Sequence, residues 1–120
     1  MTRKEFEKLI EESYGITGEY LFAKHPTYRI YRHRGNRKWF AAVMELSGDK
    51  LGRQDAQVQV VNLKCDPRMI GSFQQENGIY PGYHMNKSHW LTLALDGTAK
   101  DDTIRFLLDM SYDLTKGGRR

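Results

Sequence analysis

Pro81-Gly82-Tyr83-His84-Met85-Asn86-Lys87-Ser88-His89-Trp90 is the stretch of the chain densest in groups that could do chemistry. It admits three readings. As a recognition loop, His84, Asn86, Lys87 and His89 would offer donors and Trp90 a stacking ring. As a metal site, His84 and His89 would need further ligands from Cys65, His33 or Asp96, and no CxxC, HxxxH or carboxylate cluster supports that. As structure, Pro81-Gly82 makes a tight turn, Tyr83 and Trp90 pack, and Asn86 with the histidines satisfies loop backbone groups. The last is the plainer reading for any one residue, and a rigid loop can also be a contact surface.

Cys65 with His84 or His89 raises a nucleophile. A catalytic cysteine needs a depressed pKa and an orienting partner. Asp66 beside Cys65 opposes the thiolate, and a cysteine at a strand end is more often a small buried hydrophobe. No phosphate loop, nucleophile elbow or dinucleotide fingerprint occurs. No catalytic residue, metal or cofactor is expected.

The strongest charge feature lies earlier. Arg29, Arg32, Arg34, Arg37 and Lys38 fall together with no acid among them, interleaved with Tyr28, Tyr31, His33 and Trp39. A β-ribbon of this kind can lay cations along phosphates and rings on bases. The alternative is a solvated hairpin whose arginines blunt an exposed edge. A second wing would be the Gly48–Asp55 loop, with Lys50 and Arg53 as phosphate contacts. Asp49 and Asp55 count against it.

These groups must be positioned by one domain. The chain has 120 residues, 39% hydrophobic and 28% charged, with a net charge of +4, which describes a globular protein and not a disordered one. One cysteine excludes an intramolecular disulfide. No signal peptide is read at the N-terminus and no apolar run reaches bilayer length, so a cytoplasmic protein without membrane contact is expected.

Thr2 and Glu5 form a capping box, and Phe6, Leu9, Ile10 and Tyr14 recur at helical spacing before Gly15, predicting a helix over 3–14. Leu21 and Phe22, in the connection that follows, are expected to tuck under the sheet. Strands are predicted over 28–34 and 38–46, turning at Gly35-Asn36, with Phe40, Ala42, Met44 and Leu46 on one face. A third strand covers 56–65, where Val60-Val61 implies two covered faces or a bulge. Asp66 and Pro67 are expected to cap a second helix that ends at Asn77-Gly78. Leu91, Leu93 and Leu95 mark another strand. Thr98 with Asp101 resembles a second capping box, opening a helix to about Met110. The order is α-β-β-β-α-β-α: an α+β domain over 1–115, an antiparallel sheet with helices mainly on one face, and a frayed basic tail over 116–120.

Leu63-Lys64-Cys65-Asp66-Pro67, the decapeptide, Asp96-Gly97 and Ser111-Tyr112-Asp113-Leu114 together resemble the MmcQ/YjbR family, and Lys38-Trp39-Phe40-Ala41 extends the likeness into the first hairpin. The linker departs from the family at Leu21 and Ala23, where proline and glycine are usual. The resemblance implies a CyaY-like (frataxin-like) domain with a double-wing arrangement suited to DNA, and no catalytic residue. Frataxin-type iron binding would need an acidic ridge, but Arg3, Lys4 and Lys8 interrupt Glu5, Glu7, Glu11 and Glu12. The leading expectation is a non-enzymatic DNA-binding domain with salt-dependent affinity, drawing on the hairpin cations, Lys50, Arg53, His84, Asn86, Lys87 and His89. The alternatives are a protein-interaction module or homodimer using an exposed sheet face, where Tyr31 and Trp39 would lie, and a small-ligand site at Cys65, His84 and His89.

Overall fold

The structure is a computed structural model that describes residues 1–117. The first helix, α1, spans Arg3–Tyr14. Its capping box is formed in both directions: the Thr2 N–H donates to Glu5 Oε1 at 2.8 Å, and the Glu5 N–H donates to Thr2 Oγ1 at 3.2 Å. These bonds satisfy donors a helix start leaves orphaned. Gly15 ends it in the left-handed region at φ 65° and donates to the Glu11 carbonyl, a conformation that favours a residue without Cβ.

Five antiparallel strands follow: β1 (Arg29–Arg32), β2 (Trp39–Ser47), β3 (Gln57–Lys64), β4 (Ile79–Pro81) and β5 (Trp90–Ala94), in sheet order β1-β2-β3-β5-β4. The element order is therefore α-β-β-β-α-β-β-α. The short strand β4 is an addition to the expected order. It carries Pro81, which has no N–H for a ladder and is tolerated because β4 is an edge. The other edge, β1, is covered by the linker, where Glu19 and Ile30 exchange two backbone hydrogen bonds of 2.8 Å.

The first hairpin differs from the simple alternation. Arg32 pairs with Trp39 and Tyr31 with Ala41, so Phe40 is an extra residue in a bulge. Phe40 consequently turns to the helix side with Ala41 and Val43, while Ala42, Met44 and Leu46 face the other way. Beyond Arg32 the turn takes its positive φ at Arg37, 64°, rather than at Gly35 or Asn36. Asn36 contributes its side chain instead, accepting from the Lys38 N–H at 2.9 Å. Across Val60-Val61 the β3 ladders run in continuous register, and both faces are covered, Val61 by the helices and Val60 on the opposite side.

The second helix, α2, is a single turn, Ile70–Phe73, with no side-chain cap. Asp66 does not cap it. Its carboxylate accepts from the Arg68 N–H at 2.9 Å and from the Arg68 guanidinium at 2.8 Å, closing a local turn instead. The last helix, α3, spans Asp101–Thr115, past the expected end at Met110. Its inward stripe of Ile104, Leu107 and Leu108 continues through Ser111 and Thr115, polar but buried. Ser111 Oγ donates to the Phe40 carbonyl at 2.6 Å and accepts from the Lys64 N–H at 2.8 Å, joining the bulge of β2 to the end of β3. Lys100 takes the N-cap position of α3, and the Thr98 hydroxyl donates to Asp96, so no second capping box forms.

The main core lies between the sheet and α1 with α3. Phe6, Ile10, Tyr31, Phe40, Leu91, Leu93, Ile104 and Leu107 are fully buried there. Tyr31 is thus on the helix side, and of the two aromatics expected on the uncovered face only Trp39 is there. The C-terminal tail lies outside the described residues from 118 onward. Lys116 pairs with Asp113 at 3.3 Å.

Candidate functional site

The hairpin arginines find their acids on other elements. Arg29 lies between Glu7, at 3.4 Å, and Glu11, at 3.3 Å. The Arg32 guanidinium holds Glu19 with two bonds of 2.8 and 2.9 Å, and this pulls the Glu19 carboxyl below its usual range. Arg34 donates to the Gly15 carbonyl at the end of α1, and Asn36 Nδ2 donates to the Thr115 carbonyl, at 2.8 Å, at the end of α3. Cationic or amide donors at helix C-termini satisfy orphan carbonyls and complement the dipole. The hairpin tip is therefore tied to the helix layer. Of the five basic side chains in this cluster, Arg37 and Lys38 are exposed and form no side-chain hydrogen bond or ion pair among the described residues.

The second wing divides in the same way. Arg53 is held by Asp55 at 2.8 Å, Asp96 at 2.6 Å and the Tyr80 hydroxyl at 3.3 Å. Lys50 is exposed.

Between its strand ends, Pro81 in β4 and Trp90 in β5, the decapeptide is held to the sheet by side-chain hydrogen bonds at Tyr83. The Tyr83 N–H donates to Thr92 Oγ1 at 2.8 Å, Asn62 Nδ2 donates to the Tyr83 carbonyl at 2.9 Å, and the Thr92 hydroxyl donates to Asn62 Oδ1. Asn62 and Thr92 are buried, so a polar pair in an apolar sheet is satisfied by the loop it anchors. Gly82 presses on the next strand: a Cβ there would stand 2.8 Å from the Trp90 carbonyl oxygen. His84 has φ 59°, and its ring packs 4.0 Å from that of Tyr83. Asn86 accepts from the Ser88 N–H at 2.9 Å, and Lys87 Nζ donates to the Gly82 carbonyl at 3.0 Å. The backbone carbonyl of His89 accepts from the Cys65 N–H at 2.8 Å.

This loop walls the sheet face opposite the helices. The register Ile30↔Ala42↔Asn62↔Thr92↔Tyr80 runs straight across that face. Ala42, the smallest side chain of the row, leaves a depression. Phe22, His25, Tyr28 and Trp39 wall it on one side, and Tyr83, His84 and Met85 on the other, giving an apolar cleft of about 140 Å³. Phe22 and Leu21 are 37% and 40% exposed, so the linker roofs the rim rather than tucking under the sheet. Beyond Tyr83 lies a second cleft of about 230 Å³, lined by Lys50, Leu51, Tyr80, Pro81, Tyr83 and Lys87. Lys64 and Trp90 are register partners at the end of the same face, both half-buried.

The structure thus brings Lys50, His84 and Lys87 to one face and commits Arg29, Arg32, Arg34 and Arg53 elsewhere. Sequence reasoning missed Phe22, His25, Asn62 and Met85 as parts of a site, and took Tyr28 as a ring of the basic hairpin and not as a wall of this cleft. The signals were the aromatic spacing from Tyr20 to Tyr31 and a lone asparagine inside an apolar strand.

Cys65 is 1% exposed in the core on the helix side. Burial, with Asp66 adding its charge, pushes the thiol up to about 11, the wrong direction for a nucleophile. His84 lines the cleft on the opposite face, so Cys65, His84 and His89 share no pocket. Among the described residues no three His, Cys, Asp or Glu side chains converge as a metal site, and no helix is long and apolar enough to cross a membrane.

The uncharacterized protein YyaQ of Bacillus subtilis (strain 168) is 35% identical over 117 residues, 97% of this chain and 99% of that one. The uncharacterized protein YjbR of Escherichia coli (strain K12) is 42% identical over 53 residues, 43% of this chain and 45% of that one. A crystal structure of a Pseudomonas syringae protein superposes with a TM-score of 0.93 at 36% identity, covering 96% of this chain and 99% of the other. A Deinococcus radiodurans protein gives a TM-score of 0.72 at 25% identity, over 99% and 82%. The YjbR family model matches residues 14–114, all five strands with α2 and nearly all of α3, and with this extent of agreement the chain belongs to the YjbR family.

Proposed function

We propose that this chain is a non-enzymatic DNA-binding domain that works from the open face of its sheet, in the cytoplasm. The observation that carries the reading is the pair of adjoining clefts sharing Tyr83, one apolar and aromatic, the other bearing Lys50 and Lys87. Rings beside cations are what a nucleic acid needs, with stacking for bases and charge for phosphates. The reading keeps the double-wing, CyaY-like idea in altered form. The wings supply Lys50 and, at the hairpin tip, Arg37 and Lys38, while the remaining arginines hold the fold.

Fluorescence anisotropy with labelled duplex and single-stranded DNA across a salt series tests this. Binding is expected at about 50 mM salt, where phosphate-driven association is strong. The double variant Lys50→Glu, Lys87→Glu should weaken it at least about tenfold and flatten the salt slope by roughly one to two. Absence of binding at that salt would sink the proposal. A second reading, a protein-binding face, is favoured by the exposed Leu21 and Phe22 at the rim. It predicts self-association or partner binding by light scattering that salt barely changes.

A further inference from the structure

Resting on the nucleic-acid reading, we infer that the Ala42 cleft is a socket for one unstacked nucleobase, so that the domain takes single strands in preference to duplex. The argument begins with size. Pockets for drug-sized ligands run to about 300–1,000 Å³, whereas this cleft measures about 140 Å³, room for one flat ring system.

The walls are preformed. Phe22 meets Trp39 edge-on at 5.9 Å and Tyr28 at 6.2 Å, and His25 stacks on Tyr28 at 4.6 Å. On the other side Tyr83 is fixed through both its N–H and its carbonyl to Thr92 and Asn62. A ring entering here displaces water from aromatic faces that are already ordered, which lowers the cost of binding. Paired bases in a duplex hide their faces in the stack. Among the described residues the one helical element against this face is the single 3-10 turn Gly48–Leu51, too short to enter a groove as a recognition helix.

The polar floor is nearly used up. Asn62 donates one amide hydrogen to Tyr83 and accepts from Thr92, so little is left to read base edges, and the socket accepts bases of differing sequence. Charge complementarity fixes the occupant as a polyanion: Lys50 and Lys87 stand across Tyr83 from the socket, and Lys64 lies with Trp90 at the end of the face.

Three labelled oligonucleotides of roughly ten nucleotides, within the span one small domain covers, decide the matter: a thymidine strand, the same length of abasic backbone, and a duplex. The strand should bind about tenfold or more tighter than either of the others and quench tryptophan emission through Trp39. Ala42→Leu, which fills the socket, should bring strand affinity down to that of the abasic backbone. The abasic and duplex arms test the same point without any variant. Equal affinity for all three, still sensitive to Lys50→Glu, overturns the socket and leaves the DNA-binding domain standing. No binding to any of them, as for a face that buries itself in a second protein, removes both.

Discussion

The two faces of one sheet have been put to different uses. On the helix side, Phe40, Val43, Val61, Leu63, Leu91 and Leu93 of the central strands are buried in the cluster with α1 and α3, and even the polar members of the α3 stripe, Ser111 and Thr115, complete a hydrogen-bonded seam. On the open side the buried set is smaller, Ile30, Ala42, Met44, Leu46, Val58, Val60 and Ala94. Loops and the 3-10 turn Gly48–Leu51, not α1 and α3, stand over it, and they leave clefts. A sheet between helices and water needs only one such core to fold. The second face is free to carry rings and cations whose placement serves something else.

Truncation tests that division most severely. Phe6→Ala removes a fully buried ring from the helix side and should cost about 3–5 kcal/mol, read as a loss of urea midpoint at unchanged slope. A cost below about 1 kcal/mol would mean that the helix side is not the principal core, and the contrast between the faces would fail.

The cations offer a finer test. Arg53→Ala breaks the links to Asp55, Asp96 and Tyr80. Since the guanidinium is largely covered while its partners are partly solvated, the expected cost is about 1 kcal/mol. DNA affinity should stay within about twofold, because this charge is already neutralised. The lysine variants should do the reverse, weakening binding with stability nearly unchanged. If Arg53→Ala weakened DNA binding as strongly as they do, the separation into structural arginines and contact lysines would be wrong.

Local signals were legible wherever they were complete within a few residues. The capping box at Thr2 and the glycine at 15 delimit α1 to the residue, period-two alternation finds β2 and β5, and β3 is read as a strand despite the slip at Val60-Val61. Reading failed where the deciding partner lies far along the chain. Phe40 changes face because a bulge inserts one residue, and the alternation Phe40-Ala42-Met44 conceals it. The helical stripe of α3 runs on through Ser111 and Thr115, whose polarity looks like an end until their partners are known. β4 is three residues with a proline, too short to announce itself. The arginine cluster looked free because Glu7, Glu11 and Glu19 are supplied by α1 and the linker. The cleft was invisible for the same reason: its walls come from residues 22–28, Trp39 and residues 83–85, and only the sheet brings them together.

The hairpin tip offers the smallest and most specific test, because there the wing proposed to present Arg37 and Lys38 is also tied to the end of α3. His33 is buried against Phe40 and Tyr112, with ring centroids 5.0 and 4.5 Å away, and its Nε2 lies 2.8 Å from Thr115 Oγ1. The Thr115 hydroxyl donates to the Ser111 carbonyl at 2.7 Å, so it accepts from a protonated Nε2. Burial lowers the His33 pKa, the nearby Lys116 charge lowers it further, and the Tyr112 carbonyl opposes them in part. In the unfolded chain the imidazole titrates near about 6.5. Between the depressed folded value and that point the unfolded state holds more protons, so stability rises with pH. The contribution is complete above about pH 6.5 and is lost as the pH falls through the folded pKa. Urea unfolding of the native chain from pH 8 down to 5 should show this loss, and His33→Gln should flatten the slope while lowering stability at pH 8. An unchanged slope in the variant would mean that His33 titrates as freely as a solvated side chain, and the tip would then be a loose wing after all, not a clasp between the hairpin and the end of α3.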